Sequence, residues 1–216
     1  MLNSNLRSAS GAPAPHARHS VEIADALSAA DLNDLCEATE AAIEAGGGFG
    51  WINTPGRDAL ERYWKGVMVV PERHLLVARV DGVVCGAVQL VEPSRHNEAQ
   101  AFSATLLAIF VAPWAQRRGS GRKLVETAEK LARDMNYKVL QMDVRETQTP
   151  AIKLYESMGY QRWGTNCAYA MVNNRVIAGY YYNKIISRVL ERVTPDVNSG
   201  ANSTSDYQLR AVPKTV

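Results

Sequence analysis

Long apolar segments, paired cysteines and a leader-like N-terminus are all missing from this sequence. The longest largely apolar stretch, Ala104 to Ala112, is far shorter than the ~20 residues that cross a membrane as a helix. The cysteines, Cys36, Cys85 and Cys167, form no CxxC pair or Cys/His cluster, so neither a disulfide framework nor a zinc site is expected. The first residues lack the apolar stretch of a signal peptide. These absences predict a soluble, cytoplasmic protein without metal or membrane contact, whose cysteines serve in packing.

A large excess of positive charge is missing as well. The 216 residues hold 24 Lys and Arg against 22 Asp and Glu, which gives a formal net charge of +2. A protein that coats nucleic acid is usually more basic, so no nucleic-acid partner is expected. With 46% hydrophobic and 21% charged residues, the composition is that of an ordinary folded domain.

Both ends of the chain are poor in large apolar side chains. Residues 1–19 contain Ser, Asn and Ala with two Ala-Pro steps, and residues 191–216 contain the polar run Asn202 to Asp206. Segments of this kind bury too little apolar surface to offset the entropy that ordering costs. The sequence therefore predicts one domain over residues 20–190, between an N-terminal extension and a C-terminal tail.

Hydrophobic periodicity and turn residues predict the order β-α-α-β-β-β-α-β-α-β-β for this domain. The Asp-Gly pair at 81–82 separates two apolar runs and indicates a tight hairpin. Ala104–Val111 is apolar along nearly its whole length, as in a strand that is covered on both faces. One helix is predicted over Gly119–Met135, and a shorter one is capped by Thr149 and ended by Gly159. This order is typical of a mixed α/β fold.

The stretch from Gln116 to Lys123 concentrates positive charge between the apolar strand and a predicted helix. Its cations are Arg117, Arg118, Arg122 and Lys123. Amides at a helix start, together with the helix dipole, favour an anion, and Gly119 and Gly121 allow the backbone to approach a ligand closely. These features indicate a phosphate site, and the alternative is a tight turn with solvated arginines. Neither a Walker loop nor a GxGxxG fingerprint fits the spacing.

Two sequence motifs follow one another on the predicted elements. The first is Gln116-Arg-Arg-Gly-Ser-Gly121, and the second runs from Val144 to Tyr160 as VRETQTPAIKLYESMGY. They resemble the Q/R-x-x-G-x-G/A pyrophosphate loop and the V-R-x-x-N-x-x-A-I-x-L-Y-E-x-x-G-F segment of the GNAT superfamily of acetyl-CoA-dependent N-acetyltransferases. The likeness covers residues 21–189. The glycine-rich segment Gly46–Gly50 and the pair Tyr63-Trp64 further resemble small-molecule members such as the tabtoxin-resistance enzyme.

The resemblance implies a mostly antiparallel sheet of about six to seven strands, flanked by about four helices. It also implies that the sheet splays between the apolar strand and the strand at Lys138–Arg145. Along that opening, the pantetheine arm of coenzyme A would pair with backbone groups of Ile109, Phe110 and Val111. The residues implied to hold the pyrophosphate and the nucleotide phosphates are Gln116, Arg117, Arg118, Gly119, Ser120, Gly121 and Arg122. Gln148 stands where the family has Asn, and its amide is the implied contact with the coenzyme arm.

Tyr155 and Asp143 are the candidate catalytic residues. The resemblance places Tyr155 near the thioester sulfur, where a phenol with a pKa of ~10 is protonated and can assist the leaving thiolate; the alternative is a core aromatic. An attacking amine must lose a proton, yet the apolar strand, where many relatives carry a base, has no Asp or Glu. Asp143 shares a strand face with Gln141 and Arg145 and is the predicted base. The alternatives are an Asp143–Arg145 ion pair, Glu146 as base, or a chain of water molecules.

The predicted activity is acetyl transfer from acetyl-CoA to a primary amine of a small molecule, by direct attack in a ternary complex. Two other functions stay open, namely acetylation of a protein N-terminus or lysine, and acyl-CoA binding without catalysis. Gly46–Trp51, Tyr63, Trp64 and His96 are candidates for the acceptor side of the site, and the alternative for Tyr63 and Trp64 is a place in the core. Many members of the family are dimers, which predicts a homodimer formed by the last strand or by Tyr180–Tyr182, an aromatic run that is expected to be exposed.

Overall fold

A seven-stranded sheet forms the centre of the computed structural model, which describes residues 17–47 and 49–187. The strands are β1 (His19–Ile23), β2 (Arg73–Val80), β3 (Val83–Val91), β4 (Ser103–Val111), β5 (Val139–Arg145), β6 (Gln161–Val172) and β7 (Arg175–Ile185). The helices are α1 (Ala29–Glu44), α2 (Arg57–Val69), α3 (Ser120–Asp134) and α4 (Thr149–Ser157). These elements confirm the predicted α/β fold class. The predicted N-terminal extension and C-terminal tail lie outside the described residues, apart from 17–19.

The strands are ordered β1-β2-β3-β4-β5-β7-β6 across the sheet. Every neighbouring pair is antiparallel except β4 and β5, so the sheet is mixed and mostly antiparallel, as predicted. A parallel pair needs a crossover connection, and α3 provides it between these two strands. Because the last two strands exchange places, β7 lies inside the sheet and β6 forms an edge.

Local signals account for most element ends. Ser28 caps α1 by accepting a hydrogen bond at 3.1 Å from the backbone amide three residues further on. Asp81 and Gly82 have φ values of 50° and 89°, as a two-residue hairpin turn requires. The start of α4 is one residue earlier than predicted. Gln148 occupies the N-cap position there, and Thr149 is already helical.

The helices cover the two faces of the sheet in pairs. α1 and α2 pack on one face around Trp64, which is fully buried and therefore part of the core. α3 and α4 pack on the other face, and the apolar stripe of α3 is buried at Leu124, Val125, Ala128 and Ala132. Each large apolar side chain contributes about 1.5–3 kcal/mol by such burial. Within residues 17–47 and 49–187, no helix is long and apolar enough to cross a bilayer.

β4 and β5 separate soon after they meet. Their pairing extends over three residues, from Ser103 opposite Val139 to Thr105 opposite Gln141. Beyond that point the described part of the chain places no strand on the β5 side of β4, which confirms the predicted splay. Ala108 has a φ of 51° and lies beside a register shift between β3 and β4. A β-bulge therefore interrupts β4 just beyond its last pair with β5.

Three expectations about burial are wrong. The second half of Ala104–Val111 is not covered on both faces, because residues 107–109 border the opening and are only half-buried. Cys167 is exposed on the edge strand β6, unlike the other two cysteines, which are buried as expected. Tyr182 is fully buried on the interior strand β7, so Tyr180–Tyr182 is not an exposed aromatic run. The homodimer stays a prediction.

Candidate active site

A cleft of about 540 Å³ opens where β4 and β5 part. Its walls come from β4, β5, β6, α2, α4 and the segment after α1, through Leu106–Ile109, Asp143–Arg145, Ala170–Val172, Tyr63, Ala151, Phe49–Ile52 and others. Tyr155, Asp143 and the glycine-rich segment border the same space, although they are far apart in the sequence. The cleft therefore unites both predicted catalytic residues with the predicted acceptor segment.

Tyr155 borders the cleft from α4 with 4% of its surface exposed. Its ring packs edge-on against Tyr160 and Tyr182, with centroids 6.2 Å and 6.1 Å away. Burial raises the pKa of Tyr155 above its usual range, and the charge of nearby Asp143 raises it further. The ring thus belongs to the core, while the hydroxyl stays protonated and able to donate a hydrogen bond throughout the neutral range.

Asp143 faces the cleft from β5, where half-buried Gln141, Asp143 and Arg145 alternate with buried residues, as predicted. Gln141 turns to Ser103, with 3.0 Å between Nε2 and Oγ. The hydroxyl of Tyr169, on β6, donates a hydrogen bond to Oδ2 of Asp143. Burial, and then this hydrogen bond, raise the pKa of Tyr169 above its usual range. Tyr169 borders the same cleft and is a site residue that the sequence motifs do not indicate.

Glu146 and His96 lie apart from these residues. Glu146, the alternative base, accepts a hydrogen bond at 3.1 Å from the amide of Ala178. His96 is exposed in the loop after β3. Neither belongs to the described lining of the cleft, so the structure does not bring them together with Tyr155 and Asp143.

We define the aromatic wall of the cleft as Phe49, Trp51 and Tyr63. The ring centroids of Phe49 and Trp51 are 5.5 Å apart, and those of Trp51 and Tyr63 are 4.9 Å apart. The Tyr63 hydroxyl accepts a hydrogen bond at 2.8 Å from Nε2 of the fully buried Gln89. Oε1 of Gln89 in turn accepts one from Arg73 at 3.0 Å. This buried polar chain fixes the orientation of Tyr63.

Gln148 links the start of α4 to the glycine-rich segment. Its Nε2 donates a hydrogen bond to the carbonyl oxygen of Gly46 at 2.6 Å. Gln148 also borders the cleft, so its Oε1 and the second N–H of its Nε2 are left for a ligand. Its contact with the coenzyme arm stays a prediction.

The loop between β4 and α3 has the geometry of an anion site. Gly119 occupies the N-cap of α3 with a φ of 85°, a left-handed conformation that favours glycine. The first amides of α3 have no carbonyl partner within the helix, and the helix dipole adds positive charge there. A Cβ at Gly121 would lie 3.4 Å from Leu154 of α4 and 3.8 Å from Val111 of β4. The loop therefore abuts both the open strand and the helix that carries Tyr155.

The cations of this loop differ in their partners. Arg122 donates to a serine hydroxyl of α4 at 2.7 Å, and Lys123 donates to a backbone carbonyl of β1 at 3.2 Å. Arg117 and Arg118 are exposed, and no hydrogen bond or ion pair joins them to the rest of the described chain. These two side chains are therefore available to a phosphate without breaking an existing contact.

Gln116 supports the loop from within. Its Nε2 donates a hydrogen bond at 3.0 Å to the carbonyl of Val111, the last residue of β4. This bond ties the loop to the strand and leaves the Val111 carbonyl one further acceptor position for a ligand. A direct contact of Gln116 with phosphate stays a prediction.

Replacing Arg117 and Arg118 together by glutamine is expected to raise the KM for acetyl-CoA about tenfold and to leave kcat unchanged. Charge-assisted hydrogen bonds to phosphate strengthen binding but lie far from the reacting atoms. Initial rates at several salt concentrations measure this, because screening should weaken the wild type more than the variant. The control removes two charges near the C-terminal end of α3, as Lys130→Gln/Arg133→Gln, and an equal rise in KM there would contradict a local phosphate site.

Comparison with known proteins gives the class of protein. Residues 39–160, more than half of the chain, match the acetyltransferase (GNAT) family. The chain therefore belongs to that family, and it is an acetyl-CoA-dependent N-acetyltransferase, as the two sequence motifs imply.

Individual relatives agree with this class. The chain is 56% identical over 128 residues to an uncharacterized N-acetyltransferase from the hisH-hisA intergenic region of Azospirillum brasilense. The match covers 59% of this chain and 76% of that protein. It is 32% identical over 103 residues to the N-alpha-acetyltransferase RimI of Mycobacterium tuberculosis, over 48% of this chain and 61% of that protein. The structure of yncA from Salmonella typhimurium with acetyl-CoA shares the fold with a TM-score of 0.64 and 19% identity. The match covers 83% of this chain and 98% of that chain.

Proposed function

We propose that this enzyme acetylates a primary amine of a small molecule by direct attack in a ternary complex. The observation that carries the proposal is the cleft, in which one carboxylate, Asp143, and the aromatic wall border a space of about 540 Å³. A carboxylate and the faces of aromatic rings both attract an ammonium group. A cavity of this size suits a small molecule.

Each catalytic side chain has a separate task in this proposal. Acetyl-CoA supplies the acetyl group as a thioester. Asp143 takes the proton that the acceptor amine must lose, and the amine nitrogen then bonds to the carbonyl carbon. As the carbon–sulfur bond breaks, Tyr155 donates a hydrogen bond to the departing sulfur.

The raised pKa of Tyr155 decides what this side chain offers. A thiol has a pKa of ~8.5, whereas burial raises the pKa of Tyr155 above the usual range of a phenol. Transfer of the phenol proton to a thiolate is therefore uphill. Tyr155 stabilises the thiolate by hydrogen bonding, and the proton that the thiolate gains is balanced by the proton that the amine lost to Asp143, with exchange through the solvent.

The coenzyme lies along the opening between β4 and β5 in the same proposal. Backbone groups of residues 109–111 pair with the pantetheine arm, the amides of 118–121 bind the pyrophosphate, and Arg117 and Arg122 reach the nucleotide phosphates. The support is the uncovered β5 side of β4 and the position of the basic loop at the end of that strand. These two features support coenzyme binding along the opening.

The α-amine of a protein N-terminus is the second candidate acceptor. It is supported by the 32% identity to the N-alpha-acetyltransferase RimI. An N-terminal α-amine is a primary amine with a pKa of ~7.7–8.0, so the same carboxylate and tyrosine serve it. The two candidates differ in the length of acceptor that the cleft must admit.

An acceptor panel tests the proposed function. Release of free thiol from acetyl-CoA is followed with small primary amines, with and without aromatic groups, and with short peptides that have free N-termini. The highest kcat/KM is expected for small amines that carry an aromatic or apolar group beside the amine. Peptides as the best acceptors would favour the second candidate, and coenzyme binding without thiol release on any amine would indicate a non-catalytic binding protein.

A further inference from the structure

Tyr169 reaches Asp143 across an intervening strand. β7 lies between β5, which carries Asp143, and β6, which carries Tyr169. Neighbouring strands are ~4.8 Å apart, so β5 and β6 are separated by ~10 Å. The hydrogen bond between the two side chains therefore requires the tyrosine ring to lie along the sheet, over β7.

Gly179 of β7 makes this crossing available. A Cβ at Gly179 would lie 2.2 Å from Cγ of Tyr169, so the ring occupies the space that any other side chain would need. β6 contributes an irregularity, because the three residues between Asn166 and Ala170 face a single residue of β7. The Asn166 side chain stabilises this segment by accepting a hydrogen bond at 2.9 Å from the amide two residues on.

We propose that Tyr169 is a positioning residue for acetyl transfer, which holds the Asp143 carboxylate toward the acceptor amine. The inference rests on the proposed function, in which Asp143 takes the amine proton. Tyr169 binds Oδ2, and Oδ1 has no hydrogen-bond partner in the described part of the chain, so Oδ1 is available to the amine. A hydrogen bond donated to a carboxylate favours its ionised form, which is the form that accepts a proton.

Few other titratable groups face Asp143. They are Tyr155 from α4, Tyr181 opposite it on β7, Arg145 on its own strand, and Tyr63 on the aromatic wall. β4 contributes none along residues 106–109. Of these groups, Tyr155 feels only the charge of Asp143, whereas Tyr169 donates a hydrogen bond to its carboxylate. A change in the kcat–pH profile on removal of the Tyr169 hydroxyl therefore tests this contact specifically.

The Tyr169→Phe variant keeps the ring over Gly179 and removes only the hydroxyl. At saturating amine, kcat at pH 7 is expected to fall about tenfold, and the acidic limb of the kcat–pH profile is expected to move up by about one pH unit. The KM for acetyl-CoA should not change. Gly179→Ala, which displaces the ring, should shift the limb in the same direction. Tyr181→Phe removes a neighbouring hydroxyl outside the cleft lining and should leave the profile as in the wild type.

Two further measurements separate this inference from the proposed function. In an Asp143→Asn background, Tyr169→Phe should have no further effect on kcat, because no carboxylate is left for the Tyr169 hydroxyl to hold toward the amine. The 13C resonance of the Asp143 carboxylate carbon, measured at pH 7 without acetyl-CoA, should differ between Tyr169→Phe and the wild type, because the carboxylate loses a hydrogen bond. An unchanged NMR resonance or an unchanged kcat–pH profile overturns the role of Tyr169. A wild type that turns over no amine refutes the proposed function instead, and the NMR result still decides the contact.

Discussion

Replacing Tyr155 by phenylalanine is expected to lower kcat about a hundredfold while the KM for acetyl-CoA stays nearly unchanged. The substitution keeps the ring that packs against Tyr160 and Tyr182 and removes only the hydroxyl. The hydroxyl matters when negative charge develops on sulfur, so its loss destabilises the transition state and not the bound substrate. Initial rates with acetyl-CoA varied at saturating amine give both constants.

Tyr160→Phe is the matched control for this experiment. Tyr160 is as buried as Tyr155 and packs against it, but it does not belong to the cleft lining. Its variant should keep the wild-type kcat. Since burial raises the pKa of Tyr155, ionisation of this phenol should not reduce activity as the pH rises to ~10. A Tyr155→Phe variant with wild-type kcat would leave the residue with a packing role alone.

Replacing Asp143 by asparagine is expected to lower kcat at pH 7 by about 10³-fold. An amide has nearly the shape of the carboxylate and still accepts a hydrogen bond from Tyr169, but it cannot take a proton from the amine. The residual rate should rise steadily with pH, because hydroxide then removes the amine proton. Rates at saturating amine between pH 5 and pH 10 measure this change in profile.

Glu146→Gln provides the control for Asp143. It removes a carboxylate three residues further on, which bonds a backbone amide outside the cleft. Its pH profile should match that of the wild type. If Asp143→Asn keeps the full profile, a water chain remains as the route for the amine proton. If Glu146→Gln alone loses the acidic limb, Glu146 is the base.

The order of elements could be predicted because strong local signals mark their ends. Ser28, the Asp-Gly turn at 81–82 and Gly159 each impose a backbone conformation that neighbouring residues do not contradict. The exchange of β6 and β7 in the sheet has no such local signal, since it depends on which strand pairs with β5. The strand that contains Tyr182 could therefore be predicted, but the burial of Tyr182 could not.

The candidate site divides in the same way. Tyr155 could be placed in the site because it lies in a sequence motif. Asp143 could be placed there because the alternation of side chains along its strand fixes the face to which it belongs. Tyr169 and Gln89 could not, since each acts through a contact between segments 26 residues apart. One signal for Tyr169 is present in the sequence, namely a glycine inside a strand otherwise rich in tyrosine. Such a glycine often marks the close approach of another group, here an aromatic ring.

The short pairing between β4 and β5 has a mechanical consequence. Three residue pairs join β1–β4 to β5–β7–β6 through the sheet, so a small rotation at this seam breaks few backbone hydrogen bonds. Asp143 and Tyr169 belong to one half, and residues 106–109 belong to the other. The width of the cleft is thus set by the angle between two half-sheets, and the range of acceptor sizes becomes a property of the whole sheet.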